Sequence, residues 1–350
     1  MCLANTNYHV KICKMSFEKF EDEKVAIVHD SATSLPDEYR IGYPGLAEVP
    51  FKIVAVTDDR SKTWIDNPFE SEKERQEFLY NLKNGQLLTS QPNPADYEQI
   101  FSEIIASGIT EIGVIPMSNG PGMSGSRNSA ESAAKDLEKV ANIRVFDSKT
   151  LSVGQGLLVA QADAENKNGE FETADDLVNR VEELSKGLYL AQGFSDLGHL
   201  RRGGRIGLAA SMVGGVFDIV PVLSLNEDGV LYPLAKKRHW KRAHAAIVEH
   251  VFEGLESYTT ERELGSIAVR FAFVDFESTQ IENLRSVAAA RIRKETKDTE
   301  ESEPKIHLAK DKDGKPYKII KGKESKVLAT HTSVGVAGFA GLVVSERHAA

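Results

Sequence analysis

The chain has 350 residues, too many for one average domain, and its hydrophobic fraction of 41% is enough for ordinary cores. A formal net charge of −9 argues against a chain-wide nucleic-acid surface, which needs a basic face to neutralise phosphates. Cys2 and Cys13 are the only cysteines, so no disulfide framework or zinc site is implied, and no window approaches the roughly 18 apolar residues of a membrane span.

Residues 1–23 carry scattered lysines without a continuous apolar region, so they read as a flexible leader rather than a secretion signal, and the protein is expected in the cytoplasm. Val25-Ala-Ile-Val28 has the pattern of a buried strand opening into His29-Asp30-Ser31. Phe51 to Val56 reads as another strand and Ser71 to Leu82 as a charged amphipathic helix, closed by Asn84-Gly85. After Thr89-Ser90-Gln91-Pro92, Asn93 suits a helix cap and Pro94 a first helical position, with the helix ending near Ser107-Gly108. A strand at Ile112 to Met117 opens into the glycine- and serine-rich loop Ser118 to Ser126, and a helix follows through Val140. Ile143 to Phe146 is a strand ending at Asp147-Ser148, and Leu151 to Glu165 an apolar, buried helix.

This alternation implies a parallel sheet with covering helices, an N-terminal α/β domain over 24–165. Asn166 to Glu170 is the expected boundary, with a second α/β domain over 170–350. There the patterns give a helix at 173–186, strands at 188–192, 219–225 and 231–235, a basic helix from about 238, a strand at 267–273, a helix at 278–293 and a strand at 334–344. The charged segment 296–326 reads as a mostly exposed insertion with a hairpin around Asp313-Gly314.

Ligands of parallel sheets sit where strands end and helices begin. Three hydroxyl-rich loops fall at such points: Asp30-Ser31, Thr89-Ser90 and Ser118 to Ser126. The last two feed helix N-termini, whose free N–H groups favour an anion. Thr89, Ser90 and Ser124 therefore either cap helices or hold an anionic headgroup. Gly198 to Gly207 sets Arg201, Arg202 and Arg205 among glycines, which reads as a solvated tight turn or as a place where a carboxylate or phosphate is handled.

Gly120-Pro-Gly122-Met-Ser-Gly125 formally fits a dinucleotide fingerprint, with Asp147 at the next strand end. Pro121 and the surrounding hydroxyls are foreign to that fingerprint. No P-loop, nucleophile elbow or metal constellation is present. His239 and His244 are five residues apart, off the helical spacing, and read as a solvated face. His331 reads as part of a polar turn, structural or suited to a proton or phosphate contact. Lys236 to Arg242 is a basic cluster, either a solvated helix face or a surface for a partner, an anion or nucleic acid.

The order Val28-His29-Asp30-Ser31, Thr89-Ser-Gln-Pro92, Met123-Ser-Gly125, Asp147-Ser148, Gly203-Gly-Arg-Ile206, Lys236 to Arg238 and His331-Thr332 resembles the DegV family over residues 24–350. The resemblance implies two α/β domains holding a long-chain fatty acid between them. It implies a lipid carrier without a cofactor, not an enzyme on its own. The carrier would present the carboxylate to a separate ATP-dependent fatty acid kinase subunit, whose acyl phosphate enters phospholipid synthesis. By position, Thr89 and Ser124, with Ser90 and the Gly125 backbone adjacent, match the carboxylate-binding residues. Arg205, Arg238 and His331 match residues linked to phosphoryl transfer or kinase docking. The alternative is a stand-alone phosphotransferase or hydrolase using His331 and the arginines. Departures from the family pattern include a longer 118–124 loop, His29 before Asp30-Ser31 and Ser333-Val334 after His331-Thr332.

Overall fold

A computed structural model of the chain describes residues 24–36, 39, 45–56, 62–66, 69, 71–212, 218–276, 279–296, 306–310, 313–315, 318–323, 325–332 and 335–348. The expected leader, with Cys2 and Cys13, lies outside them, as do Ser333, Val334 and parts of the 296–326 segment.

β1 (Val25–Asp30) is buried along its whole length, as an apolar run covered on both faces must be. It pairs in parallel with β2 (Leu46–Val49). β3 (Lys52–Ala55) and β4 (Lys62–Ile65) then form an antiparallel pair. α1 (Glu72–Lys83) is capped by Ser71, whose hydroxyl accepts the Glu74 amide hydrogen. It leads to β5 (Leu87–Ser90), which pairs with the other edge of β3 and turns Leu87 into the core beside Ile53 and Ala55. α2 (Pro94–Ala106) starts at a capping box. The Asn93 side chain accepts the Asp96 amide hydrogen, and the Asp96 carboxylate accepts that of Asn93.

β6 (Glu111–Ile115) pairs in parallel with β1. Beyond α3 (Ser126–Asp136), β7 (Asn142–Val145) pairs in parallel with β6, giving the order β2-β1-β6-β7. α3 stops at Asp136 rather than at the expected Val140, and residues 137–140 are turns. α2 and α3 cover one face, where Tyr97, Phe101 and Ala130 pack on Ala26 and Val28.

α4 (Ser152–Lys167) lies between this sheet and the next. Leu157 and Val159 share one core with Ile27 and Ile115 on one side and with Ala272 and Leu342 on the other. α5 (Ala174–Ser185) also packs on the first sheet, so closely that a Cβ on Gly113 would lie 2.5 Å from a Leu177 methyl. The boundary expected at Asn166–Glu170 falls on the end of α4 and the turn after it, between two helices that both pack on the first sheet. The chain reaches the second sheet only at β8 (Leu188–Phe194).

Then follow α6 (Gly198–Arg202), β9 (Ile219–Leu225), β10 (Leu231–Arg238) and α7 (His239–Glu261). β11 (Leu264–Phe276) and α8 (Ile281–Glu295) precede the short strands β12 (Ile306–Leu308) and β13 (Ile320–Lys323). α9 (Lys326–Thr332) and β14 (Val336–His348) close the fold. The second sheet runs β10-β9-β8-β14-β11-β12, with β13 also on β11. It is antiparallel except at β12 and β13. α7 and α8 cover one face, and α4 the other.

Three expectations change here. β12 and β13 do not form a hairpin. They lie end to end along β11, opposite residues 267–269 and 272–275. Ile306 and Ile320 are buried, so only stretches such as 313–315 keep the expected exposure. The edge of β11 needs covering, and one apolar side chain per short strand suffices inside a charged segment. His244 is 2% exposed, on the apolar stripe of α7 with Ala243, Ile247 and Val251, and its ring packs on Trp240. The basic cluster does not lie on one helix: Lys236 to Arg238 end β10, Lys241 and Arg242 open α7, and His239 turns between them at φ 62°.

Candidate functional site

The loops at the strand ends are organised by Asp30, the last residue of β1, which is fully buried. Its Oδ1 accepts hydrogen bonds from the Ala32 amide at 3.2 Å and Gln155 Nε2 at 3.0 Å. Its Oδ2 accepts from the Met117 amide at 2.9 Å and Ser126 Oγ at 2.7 Å. Ser126 Oγ also meets the Tyr97 hydroxyl at 2.6 Å. One carboxylate thus ties the ends of β1 and β6 to the starts of α3 and α4. Burial pushes its pKa up, against the pull of these donors.

In front of this hub is a cavity shared by both parts of the chain. Its apolar walls include Phe51, Met117, Met123 and Leu151 from the first part and Phe194 and Leu200 from the second. They continue into a core that also holds Trp64, Phe78 and Leu82. Its polar lining includes Thr89, Gln91, Ser124, Arg205 and His331.

Thr89 sits at the end of β5 and His331 in the last turn of α9, a helix where a polar turn was expected. Thr89 Oγ1 and His331 Nε2 are 2.8 Å apart. His331 Nδ1 is buried and has no hydrogen-bond partner. Gly203 packs against it, and a Cβ there would lie 2.2 Å from Nδ1. Burial, then the neighbouring Arg205 charge and His199, lower the His331 pKa to about 4. The ring is therefore neutral at pH 7. Arg205 is held by its Nη1, which donates to the Gly203 carbonyl at 2.6 Å.

Ser124 Oγ accepts the Ser126 amide hydrogen at 3.1 Å, and the Gly125 amide donates to Gln91 Oε1 at 2.7 Å. Neither Thr89 nor Ser90 caps α2, because Asn93 does so.

Thr89, Ser124, Arg205 and His331 are thus brought to one cavity. Ser90 and Gly125 flank it, the Ser90 hydroxyl donating to the Gln91 carbonyl at 3.3 Å. Arg238 is exposed at the end of β10, beside a separate surface depression lined also by Lys236, Lys237 and Arg242.

The glycine loop holds the two parts together instead of forming a dinucleotide cradle. Ser118 Oγ donates to the Gly229 carbonyl at 2.8 Å, and a Cβ on Gly120 would lie 2.5 Å from the Asp228 carbonyl oxygen. Asp147, which a ribose would need, accepts the Asn119 and Lys149 amide hydrogens. Among the described residues, no group of three or more His, Cys, Asp or Glu is placed to hold a metal ion. No described helix is long and apolar enough to cross a membrane.

Sequence reasoning did not single out Gln91, Gln192 and Thr332, which also line the cavity, or the supporting pair Ser126 and Gln155. Gln91 had a signal, standing inside Thr89-Ser-Gln-Pro92 at a helix entry. Gln155 and Gln192 sit in apolar runs that give none.

The DegV family, described as one of uncharacterised proteins, matches residues 24–342. The chain belongs to the DegV family. A DegV domain-containing protein of Caldanaerobacter subterraneus subsp. tengcongensis is 30% identical to it over 247 residues, 70% of this chain and 82% of the relative. One from Clostridium perfringens is 31% identical over 242 residues, covering 67% and 77% of the two chains. Among solved structures, a DegV family protein from Thermus thermophilus described as fatty-acid binding has a TM-score of 0.69 at 22% identity, over 92% of this chain and all of its own. A DegV family protein from Eubacterium eligens, loaded with heptadecanoic acid, has a TM-score of 0.64 at 18% identity with coverage of 92% and 100%. At these identities the likeness concerns the fold, an α/β architecture that this DegV chain shares.

Proposed function

We propose that this DegV protein binds a long-chain fatty acid in the cavity shared by the first and second parts of the chain. It acts as a cytoplasmic carrier, not as an enzyme by itself, and presents the carboxylate to a separate ATP-dependent fatty acid kinase subunit that makes the acyl phosphate. One observation carries the reading: Thr89, Ser124, Arg205 and His331 gather on a cavity whose other walls are largely apolar. The fatty-acid binding described for DegV proteins of the same fold supports it.

The chemistry divides between tail and headgroup. About 14 buried methylenes at roughly 0.8 kcal/mol each give on the order of 11 kcal/mol before entropy costs. A headgroup buried without partners would cost several kcal/mol. The Thr89 and Ser124 hydroxyls, with the Gly125 amide at the start of α3, offset that cost. Arg205 neutralises charge building up on a phosphoryl group, and Arg238 belongs to the surface offered to the kinase. The cavity measures about 50 Å³, below the ~300–1,000 Å³ of common ligand pockets. Admission of an acyl chain therefore requires lining side chains to swing aside. Met117 and Met123, unbranched and adaptable, are suited to that.

Native mass spectrometry of the purified protein, followed by solvent extraction, tests the reading. A stoichiometric fatty acid supports it. A protein that carries none and takes up none defeats it. Acyl-phosphate formation on mixing the loaded protein with ATP and a fatty acid kinase subunit tests the second half.

The Thr89–His331 contact favours a second reading, because a hydroxyl beside a neutral imidazole is a nucleophile–base pair. Against it, His331 Nδ1 lacks the third group that orients such a base. Turnover of ATP or a phosphoester by the isolated chain would favour this alternative.

A further inference from the structure

We infer that Gln91 is an internal competitor for the headgroup site, holding the Gly125 amide until a lipid headgroup takes its place. The inference rests on the fatty-acid reading. The Gly125 amide opens α3, a helix whose cap residue offers no side-chain acceptor. Its free N–H groups need an acceptor from elsewhere. Gln91 supplies one, with Oε1 2.7 Å from the Gly125 nitrogen. An N–H can be met only by the oxygen of a carboxamide, so the orientation of the Gln91 amide is fixed by its partner. The close fit depends on glycine, since a Cβ at position 125 would lie 2.4 Å from Gln91 Nε2 and 2.7 Å from Oε1.

The same Gln91 side chain lines the cavity beside Thr89 and Ser124. A carboxylate bound by those two hydroxyls and the Gly125 amide must take the place of the Gln91 oxygen. Gln91 can yield it. The residue is exposed, between the end of β5 and the capping box of α2, so its backbone is held while its side chain is free to turn outward. A carboxylate gains from the exchange, because a hydrogen bond to an ionised acceptor is about twice as strong as one between neutral groups. An alcohol or ester gains nothing over the amide oxygen it displaces.

The test measures dissociation constants of palmitate and of hexadecanol for the wild type, Gln91→Ala and Gln91→Glu. Gln91→Ala is expected to bind palmitate about fivefold more tightly, the equivalent of one neutral hydrogen bond of about 1 kcal/mol at 1.4 kcal/mol per tenfold. Hexadecanol, whose hydroxyl displaces the same oxygen, should tighten by a similar factor. Gln91→Glu, an ionised competitor that also repels the ligand, is expected to weaken palmitate about tenfold or more and hexadecanol by less, since the alcohol meets the stronger competitor but no charge repulsion. Weaker palmitate binding by Gln91→Ala overturns the inference and makes Gln91 a ligand-holding donor. Unchanged binding overturns it as well. Hydrogen exchange of the Gly125 amide without lipid is a separate readout: faster exchange in Gln91→Ala supports the contact even if the wild type binds no palmitate, an outcome that would defeat the fatty-acid reading itself.

Discussion

Replacing Asp30 should reveal how much of the site hangs on one buried carboxylate. Asp30→Asn keeps the shape and puts an NH2 group where one oxygen stood. At the Oδ1 position that group would face two donors, the Ala32 amide and Gln155 Nε2. At the Oδ2 position it faces the Met117 amide and the Ser126 hydroxyl, and the hydroxyl can rotate to accept. The cheaper arrangement therefore orphans one buried N–H, at about 1–3 kcal/mol. The carboxylate's own burial is unfavourable, as its raised pKa indicates, so the neutral side chain recovers part of that, leaving a net loss of about 1–2 kcal/mol. Asp30→Ala leaves all four donors without an acceptor. Even about 1 kcal/mol for each approaches the ~5–15 kcal/mol by which a native protein is stable. Urea unfolding at pH 7 should rank wild type above Asn and Asn above Ala. A raised folded-state pKa also means that this residue contributes most stability below the unfolded value near 3.8 and loses it as pH rises through the folded one. That component should vanish in Asp30→Asn. An Asp30→Ala protein as stable as Asp30→Asn would show that the four donors do not depend on this carboxylate.

Three further outcomes are expected. Thr89→Ala with Ser124→Ala should weaken fatty-acid binding roughly a hundredfold, from two hydrogen bonds to a charged acceptor at ~1.5 kcal/mol or more each. Unchanged binding in calorimetry would remove both from the site. His331 takes up a proton near pH 6.5 when unfolded but only near pH 4 when folded. Stability should therefore fall as pH drops between those values, by up to about 3 kcal/mol, and His331→Gln should flatten that part of the pH profile of the urea midpoint. Gly229→Ala should cost about 2–3 kcal/mol in the same assay, because φ is +71° and the added Cβ would lie 2.0 Å from Ser118 Oγ, breaking its bond to the Gly229 carbonyl.

Local chemistry made part of this architecture legible. Asn93-Pro94 announces the start of α2 because its signals are self-contained: a side chain that reaches the third amide and a ring that needs no donor. The apolar run of α4 announces burial, and the helix is buried between the two sheets. β12 and β13 were hidden because each buries little and owes its existence to the open edge of β11, a feature more than 30 residues away. His331 reads as part of a turn but lies in a helix, because seven helical residues are too few to show a period. The basic cluster of 236–242 is one string in sequence but two elements in space, divided by a left-handed residue at His239.

The site is hidden in a different way. Thr89 and His331 are 242 residues apart and meet only because β5 and α9 reach the same cavity. No spacing rule could pair them. The hydroxyls presented a choice, a helix cap or an anion holder, that the chemistry of Ser124 does not require. Its oxygen accepts the Ser126 amide hydrogen, which is a capping contact, while it lines the cavity. A hydroxyl that accepts through a lone pair still has its hydrogen to donate. The residue that stiffens the loop can therefore also serve a carboxylate, and the ordinary reading of such a serine hides the functional one instead of opposing it. Asp30 repeats the pattern one layer deeper. A carboxylate at a strand end looks like a turn residue until its four donors are known. Those donors come from loops and helices spread between residues 32 and 155, so only the folded chain brings them together.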